Sequence, residues 1–205
     1  VVALRSVRVA ELDPLLEEEA AEWQSVLSWD FRPLAELVRR FTGLHSLAGC
    51  ALRASGKIAG YCYLVSEGRK GLIGDLYVRS GCRTAANETL LMSSALDELF
   101  DARGVDRVES QLMLLGGSRA QPLPRGGWLR VYPRYYMVIG LDHATALRPG
   151  LAARQALIDA WDARRVEEAA QVVALAYRGH VDSDVNDQYR SVEGARRFLH
   201  NMMQY

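Results

Sequence analysis

The stretch from Gly71 to Phe100 constrains the fold most, because it joins a strand, a polar turn and an amphipathic helix. Leu72–Val78 is a mainly apolar run that predicts a strand, Arg79–Ala86 is a turn of small and polar residues, and Asn87–Phe100 has helical periodicity. Two sets of apolar residues recur at i, i+4 and i+8 in this helix: Leu91, Ala95 and Leu99, and Met92, Leu96 and Phe100. Unsatisfied backbone N–H groups at a helix start attract anions. The stretch therefore indicates either a phosphate-binding or pyrophosphate-binding turn or an ordinary strand–helix connection.

The residues before this stretch predict a first strand and two helices. Val2–Val9 alternates weakly between apolar and polar residues, as a strand does. Asp13 is expected to cap the first helix, with Pro14 at its first position and Glu17–Glu19 forming a solvated acidic face in its early turns. A second helix is expected to end at Gly43.

Strands and turns predict a sheet around the Gly71–Phe100 stretch. Leu47–Ala54 and Lys57–Ser66 form a predicted hairpin around Ser55-Gly56. Arg107–Leu115 is a further strand, and the Gly-rich and Pro-rich residues 116–127 are a predicted loop. The last two predicted strands of this region are Trp128–Val131 and Tyr135–Leu141. The order is not the regular alternation of a doubly wound fold, so the fold class is α+β.

The turn carries a resemblance to the GNAT superfamily of N-acetyltransferases. In that family a strand ending in Val leads to Arg/Gln-x-x-Gly-x-Gly/Ala and a Leu-rich helix. Here the matching residues are Leu76, Tyr77 and Val78 in the strand, then Arg83, Thr84, Ala85, Ala86, Asn87 and Glu88 in the turn, followed by Leu90 and Leu91. The resemblance implies that the strand and turn residues bind acetyl-CoA. Ala86 replaces the usual Gly, and Glu88 places a carboxylate near the expected pyrophosphate, where like charges repel by about 1 kcal/mol or more.

The resemblance also implies an architecture. The element order of residues 1–142 is similar to that of a GNAT domain, with a mixed, mostly antiparallel sheet flanked by helices. Leu72–Val78 and Arg107–Leu115 are then the parallel strands that splay apart to hold acetyl-CoA. Two more helices are predicted at Asp162–Tyr177 and Val192–Met203, with Ser191 as an N-cap of the second. The chain is thus expected to hold a GNAT-like domain at residues 1–145 and, at 146–205, the helical start of a second, truncated one within a longer tandem polypeptide.

Acetyl transfer to an amine needs a base for the amine proton and donors for the oxyanion. The resemblance assigns the oxyanion donor to a backbone N–H of the central strand, within Leu76–Val78. Asp75 on this strand and Glu109 on its neighbour are the candidate catalytic bases; the alternative is that both are ordinary polar positions on a half-exposed sheet. No equivalent of the family's thiolate-protonating Tyr is found, since Tyr132, Tyr135 and Tyr136 fall in predicted sheet positions.

The composition limits the other classes of function. With 25 Lys and Arg against 25 Asp and Glu, the net charge gives no electrostatic argument for nucleic acid or an anionic membrane. No apolar run approaches the ~20 residues that span a bilayer. Three scattered cysteines favour a reducing cytoplasm without disulfides and lack the spacing of a metal site.

One polar segment has partial calcium-loop spacing. Asp182, Asp184, Asn186 and Glu193 match positions 1, 3, 5 and 12 of an EF-hand loop, but Asp187 replaces the Gly of position 6 and Arg190 stands at position 9. A polar loop between two helices is the preferred interpretation, and no metal is expected.

The sequence thus predicts an acyltransferase that moves an acetyl group from acetyl-CoA to a primary amine of a small molecule, peptide or protein. The alternative is a degenerate GNAT-fold scaffold or dimerisation module that does not bind coenzyme A, and a homodimer is compatible with either.

Overall fold

The computed structural model describes residues 1–115, 123–144, 150, 155 and 157–204. Two compact units divide the chain, Val1–Tyr136 and Met137–Tyr205. The predicted division at residue 145 lies nine residues further along the chain than this boundary.

The first unit contains a five-stranded sheet in the order β1-β2-β3-β4-β5. The strands are β1 (Val2–Ala3), β2 (Ala48–Ala54), β3 (Lys57–Glu67), β4 (Lys70–Val78) and β5 (Arg107–Ser110). Neighbouring strands from β1 to β4 are antiparallel, whereas β4 and β5 are parallel. The predicted α+β class and the mixed, mostly antiparallel sheet are therefore confirmed.

Helices cover both faces of this sheet. They are α1 (Val9–Leu27), α2 (Arg32–Gly43) and α3 (Ala85–Asp101). The apolar faces of α1 and α2 pack with Tyr61, Tyr63 and Tyr77 on one side of the sheet. Leu91, Leu96 and other residues of α3 pack on the opposite side. Because side chains alternate along a strand, β4 contributes to both cores.

Local turn chemistry explains the elements that were predicted well. Ser55 and Gly56 both have positive φ, 48° and 78°, which is the backbone conformation of a two-residue hairpin turn that matches strand twist. The helix α3 begins at Ala85, since the Thr84 side chain accepts a hydrogen bond of 3.2 Å from the Asn87 N–H.

The predicted start of the chain was wrong. Only Val2–Ala3 forms a strand, and a short 3₁₀ turn follows at Leu4–Ser6. The Arg8 N–H donates to the Glu11 carboxylate at 3.2 Å, so α1 begins at Val9 and Pro14 lies inside it. Glu17–Glu19 consequently lies in the middle of α1 rather than in its early turns.

The last two predicted strands of the first region were also wrong. Gly126–Trp128 is a 3₁₀ turn, and the described residues 123–144 contain no strand. Alternating apolar residues form a strand only where a neighbouring strand can pair with them. Trp128 and Tyr135 are instead 83% and 94% exposed. β5 ends at Ser110 rather than at Leu115. Residues 116–122 of the predicted loop lie outside the described part of the chain.

The second unit is helical. Its described helices are α4 (Leu141–Ala144), α5 (Val166–Ala176), α6 (Val181–Val185) and α7 (Val192–Gln204). Ala170 of α5 packs against Ala195 and Leu199 of α7. The predicted N-cap is confirmed, because the Ser191 hydroxyl accepts a 3.1 Å hydrogen bond from the Gly194 N–H. The likeness of the second unit to the start of a second GNAT domain stays a prediction. Among the described residues, no helix has the length and apolar character needed to cross a bilayer.

Candidate active site

The parallel strands β4 and β5 pair over four residues only. Their pairing extends from Lys70 and Arg107 to Ile73 and Ser110. The Ser110 hydroxyl closes it with a 2.9 Å hydrogen bond to the Ile73 carbonyl. In the described part of the chain, Asp75–Val78 therefore pairs with β3 alone. The pairing ends where β5 itself ends, and the predicted divergence of the two strands stays a prediction.

A β-bulge at Gly74 turns the next side chain of β4 toward α1. Tyr63 is paired with Asp75 and Leu64 with Ile73, so Gly74 is the extra residue. The Tyr63 ring lies against this glycine: a Cβ atom added to Gly74 would be 2.0 Å from Tyr63 Cε2. Because of the extra residue, Ile73 joins the α3 side of the core while Asp75 interacts with Glu19 of α1.

Asp75 and Glu19 form a buried carboxyl pair. They are 4% and 0% exposed. The Tyr61 hydroxyl donates a 2.7 Å hydrogen bond to Glu19 Oε2, and the Leu76 N–H donates one of 2.7 Å to Asp75 Oδ1. Burial raises the pKa of both carboxyl groups, and the charge of Asp75 raises the pKa of Glu19 further.

Contact between the two carboxyl groups favours a proton on Glu19 over one on Asp75. Two carboxyl groups can hydrogen-bond only when one is protonated. The bond between them raises the pKa of Glu19 and opposes the effect of burial on the pKa of Asp75. Glu19 Oε1 is buried without a hydrogen-bond partner within 3.5 Å among the described residues, and the Trp23 side chain nearby lowers the pKa of Glu19 in part. Of the two groups, Asp75 is the one that the contact favours as the carboxylate.

The second predicted base, Glu109, lies in a different environment. It is opposite Leu72 in the paired part of β4 and β5. Its carboxylate is 3.3 Å from Lys70 Nζ and also contacts the Arg107 guanidinium. These ion pairs are enough to explain why the Glu109 carboxylate is buried, so its burial needs no catalytic role. The assignment of Glu109 as a base stays a prediction.

The strand residues proposed for acetyl-CoA have partners of their own. The Leu76 N–H, one candidate oxyanion donor, already binds Asp75. Leu76, Tyr77 and Val78 are all buried.

The turn residues proposed for acetyl-CoA build the start of α3. Ala85 and Ala86 are its first residues after the Thr84 cap, and the Asn87 side-chain amide donates to the Cys82 carbonyl at 2.7 Å. Glu88 is only 3% exposed and has contacts within the chain, so its carboxylate does not project into solvent.

Arg83 is bound by a carboxylate from α1. Its guanidinium donates two hydrogen bonds to Glu22, of 2.5 and 2.7 Å. It also donates to the Val78 carbonyl at 3.1 and 3.0 Å and lies 5.1 Å from the centroid of the Tyr77 ring. The Arg83 contact lowers the pKa of Glu22, and Glu22 raises the pKa of Arg83.

Glu18, one helical turn before Glu22, binds the start of the same turn. Its carboxylate accepts a 2.7 Å hydrogen bond from the Ser80 N–H and lies 3.2 Å from Arg79 Nε. The Tyr77 hydroxyl lies 2.8 Å from the Glu22 carboxylate and 3.4 Å from that of Glu18, so it connects the Arg83 and Ser80 contacts. We call Glu18 and Glu22 the carboxylate plug, because they occupy donors of the predicted phosphate-binding turn.

The residues that α1 contributes to the site were not predicted from the sequence. The acidic run was predicted to be solvated, whereas Glu19 is fully buried and Glu18 and Glu22 face β4 and its turn. A signal for Glu19 is present, since it follows Leu12 and Leu15 at i+7 and i+4 and so lies on the apolar face of the helix.

The calcium-loop alternative finds no support in the second unit. Asp184 lies 3.5 Å from the Arg190 guanidinium, and Asn186 accepts from the Gln188 N–H at 3.0 Å. Glu193 lies 3.6 Å from Arg197. Within the described ranges, no group of three or more His, Cys, Asp or Glu side chains is arranged to hold a metal ion.

Comparisons with known proteins give similarity in structure only. No protein-family model matches the sequence, and curated protein sequences give no significant match. One similar solved structure is named a possible acetyltransferase from Clostridium difficile 630, at 10% identity and a TM-score of 0.42. Another is named a probable acetyltransferase, at 16% identity and the same TM-score. Each match covers 65% of this chain and 95% of the other. At this level the similarity does not transfer an activity, so the function has to be argued from the residues of this chain.

Proposed function

We propose that the first unit is an acyltransferase that moves an acetyl group from acetyl-CoA to a primary amine of a small molecule or peptide. The observation that carries the proposal is the position of the Asp75–Glu19 pair. It lies one residue beyond the bulge at Gly74, where β4 has lost its pairing with β5. A buried carboxylate with a raised pKa, on a strand whose pairing with β5 has ended, suits proton abstraction from an amine.

Each residue has a chemical role in this proposal. Asp75 accepts the proton that the amine loses as it attacks the thioester carbonyl. The C–S bond then breaks, and coenzyme A leaves as a thiolate that takes its proton from water. Glu19 keeps its own proton and holds Asp75 as the carboxylate, while Tyr61 orients Glu19 through its 2.7 Å hydrogen bond. Protonation of Asp75 removes the negative charge that the Leu76 N–H binds, which weakens that hydrogen bond and makes the donor available to the developing oxyanion.

Acetyl-CoA fits this site only in part. Beyond Ile73 the β5 side of β4 has no partner strand among the described residues, which leaves main-chain groups for the extended part of the ligand, and the Thr84 cap starts α3 with N–H groups that suit a phosphate. The carboxylate plug, however, occupies the Ser80 N–H and the Arg83 guanidinium, which are the donors that a pyrophosphate needs.

The test combines binding and turnover. Calorimetry measures acetyl-CoA binding, and release of free thiol in the presence of a panel of primary amines measures transfer. Asp75→Asn should keep acetyl-CoA binding and reduce kcat by about 10²-fold to 10⁴-fold, the usual contribution of a general base. Glu36→Gln changes an exposed carboxylate of α2 and serves as the matched control. Absence of acetyl-CoA binding, or full activity in Asp75→Asn, would overturn the proposal.

The carboxylate plug favours a second candidate, a GNAT-like scaffold or dimerisation module that does not bind coenzyme A. Charge-assisted contacts inside the turn stabilise it without a ligand. In that case the wild-type chain binds no acetyl-CoA, and Asp75→Asn alters stability alone.

A further inference from the structure

We propose that Glu18 and Glu22 close the phosphate-binding turn from within, so that a phosphate-bearing ligand binds only after these two carboxylates leave. This inference rests on the proposed function for the identity of the ligand. Its physical basis is the set of contacts between α1 and the turn.

The two glutamates accept hydrogen bonds of the kind that a phosphate accepts. Carboxylate and phosphate groups both accept paired hydrogen bonds from the guanidinium fork, as Glu22 does from Arg83 at 2.5 and 2.7 Å. Glu18 accepts from a backbone N–H of the turn, Ser80, at 2.7 Å. An acidic side chain therefore satisfies both a side-chain donor and a main-chain donor of the turn.

The helical spacing of the two residues makes this possible. Glu18 and Glu22 are four residues apart, so they lie on the same side of α1, one turn from each other. Tyr77 on β4 donates to Glu22 at 2.8 Å and lies beneath the Arg83 guanidinium. Displacement of Glu22 therefore affects the strand edge as well as the turn.

The plug residues are partly exposed, unlike the other carboxylates of the site. The side chains of Glu22 and Arg83 are each 21% exposed, and that of Glu18 is 31% exposed. Glu19 and Glu88 are almost completely buried. A carboxylate that reaches water can leave its partners without being stranded in the core, so Glu18 and Glu22 are the displaceable groups.

An anionic ligand competes with the plug in two ways. It must replace the hydrogen bonds to Arg83 and Ser80, and it experiences repulsion from a carboxylate that stays nearby. Removal of one negative charge, with the hydrogen-bonding oxygen retained, should therefore strengthen anion binding by about fivefold or more.

The experiment uses charge-neutral variants and two separate probes. Glu22→Gln keeps an oxygen for Arg83 and Tyr77, and Glu18→Gln leaves the Arg83–Glu22 contact intact in case the first variant folds poorly. Glu17→Gln, which changes a neighbouring carboxylate that contacts Arg39 instead, is the control. The probes are sodium pyrophosphate and acetyl-CoA at constant ionic strength, with affinity measured by calorimetry and folding by far-UV circular dichroism.

The inference requires that Glu22→Gln or Glu18→Gln bind pyrophosphate about fivefold or more tightly than the wild type and Glu17→Gln. Equal affinity in all four proteins, or no binding in any, overturns it. The acetyl-CoA probe separates the two proposals. Tighter pyrophosphate binding without acetyl-CoA binding in any protein supports the plug and overturns acetyl transfer. Equal acetyl-CoA binding by the wild type and both variants supports acetyl transfer and overturns the plug.

Discussion

The carboxyl groups of Glu19 on α1 and Asp75 on β4 interact in the interior of the first unit, where burial raises the pKa of both. A raised pKa in the folded state means that folding favours the protonated form. The stability that this form contributes is complete below the ordinary pKa of an unfolded carboxyl group and is lost as the pH rises through the folded pKa. Burial and the charges of the pair also raise the pKa values of the Tyr61 and Tyr63 phenols, and the charge of Asp75 contributes to the raised pKa of the Cys62 thiol.

The first prediction concerns this pH dependence. The wild-type melting temperature should fall as the pH rises from the ordinary carboxyl range toward neutral and alkaline values. Glu19→Gln cannot ionise and should flatten that fall, because each unit of pKa shift is worth about 1.4 kcal/mol. Differential scanning calorimetry between about pH 4 and pH 9 measures the slope. The exposed Glu168→Gln should keep the wild-type slope, and an unchanged slope in Glu19→Gln would contradict the coupling.

The second prediction concerns the 2.7 Å hydrogen bond that the Tyr61 hydroxyl donates to Glu19. Tyr61→Phe leaves a buried oxygen without its donor, so the free energy of unfolding should decrease by about 1–3 kcal/mol. Tyr63→Phe removes a hydroxyl from the adjacent stacked ring of the same core and should cost less. Urea denaturation of both variants measures the difference. Equal losses would mean that the Tyr61–Glu19 hydrogen bond contributes nothing specific.

Much of the first unit was predictable from the sequence, because the signals that define it are local. Ser55-Gly56 has the residue types of a tight hairpin turn, and the Gly71–Phe100 stretch changes from strand to helical periodicity at a capping Thr84. The parallel pairing of β4 and β5 follows from the helix that connects them.

The candidate site was less predictable, because it depends on long-range contacts. Pro14 indicated a helix start, but the Glu11 contact with Arg8 places that start five residues earlier and moves the acidic run into the helix interior. Asp75 was identified because it lies on the central strand. Its partner Glu19 lies 56 residues away in the chain, and only the folded structure brings the two together.

The third prediction concerns the bulge that directs Asp75 toward Glu19. Gly74→Ala places a Cβ atom 2.0 Å from the Tyr63 ring, so the ring or the strand has to move. Overpacking of this kind costs about 1–3 kcal/mol or more of unfolding free energy. Gly81→Ala, where nothing lies within 4 Å, is the matched control and should leave stability within about 0.5 kcal/mol of the wild type. Chemical denaturation compares them, and equal stability would show that Tyr63 does not restrain the bulge.

The fourth prediction concerns the three cysteines, which are scattered in the sequence but not in the fold. Cys50 and Cys62 are directly opposite each other in the antiparallel pairing of β2 and β3 and are 5% and 0% exposed. Contact with Cys50 and burial raise the pKa of the Cys62 thiol, which further reduces the thiolate that reacts. Cys82 in the turn before α3 is partly exposed. A thiol reagent should therefore modify one cysteine in the folded protein and three after denaturation. Cys82→Ser should abolish the fast reaction, whereas rapid modification of two or three thiols under native conditions would show that the β2–β3 face opens readily to solvent.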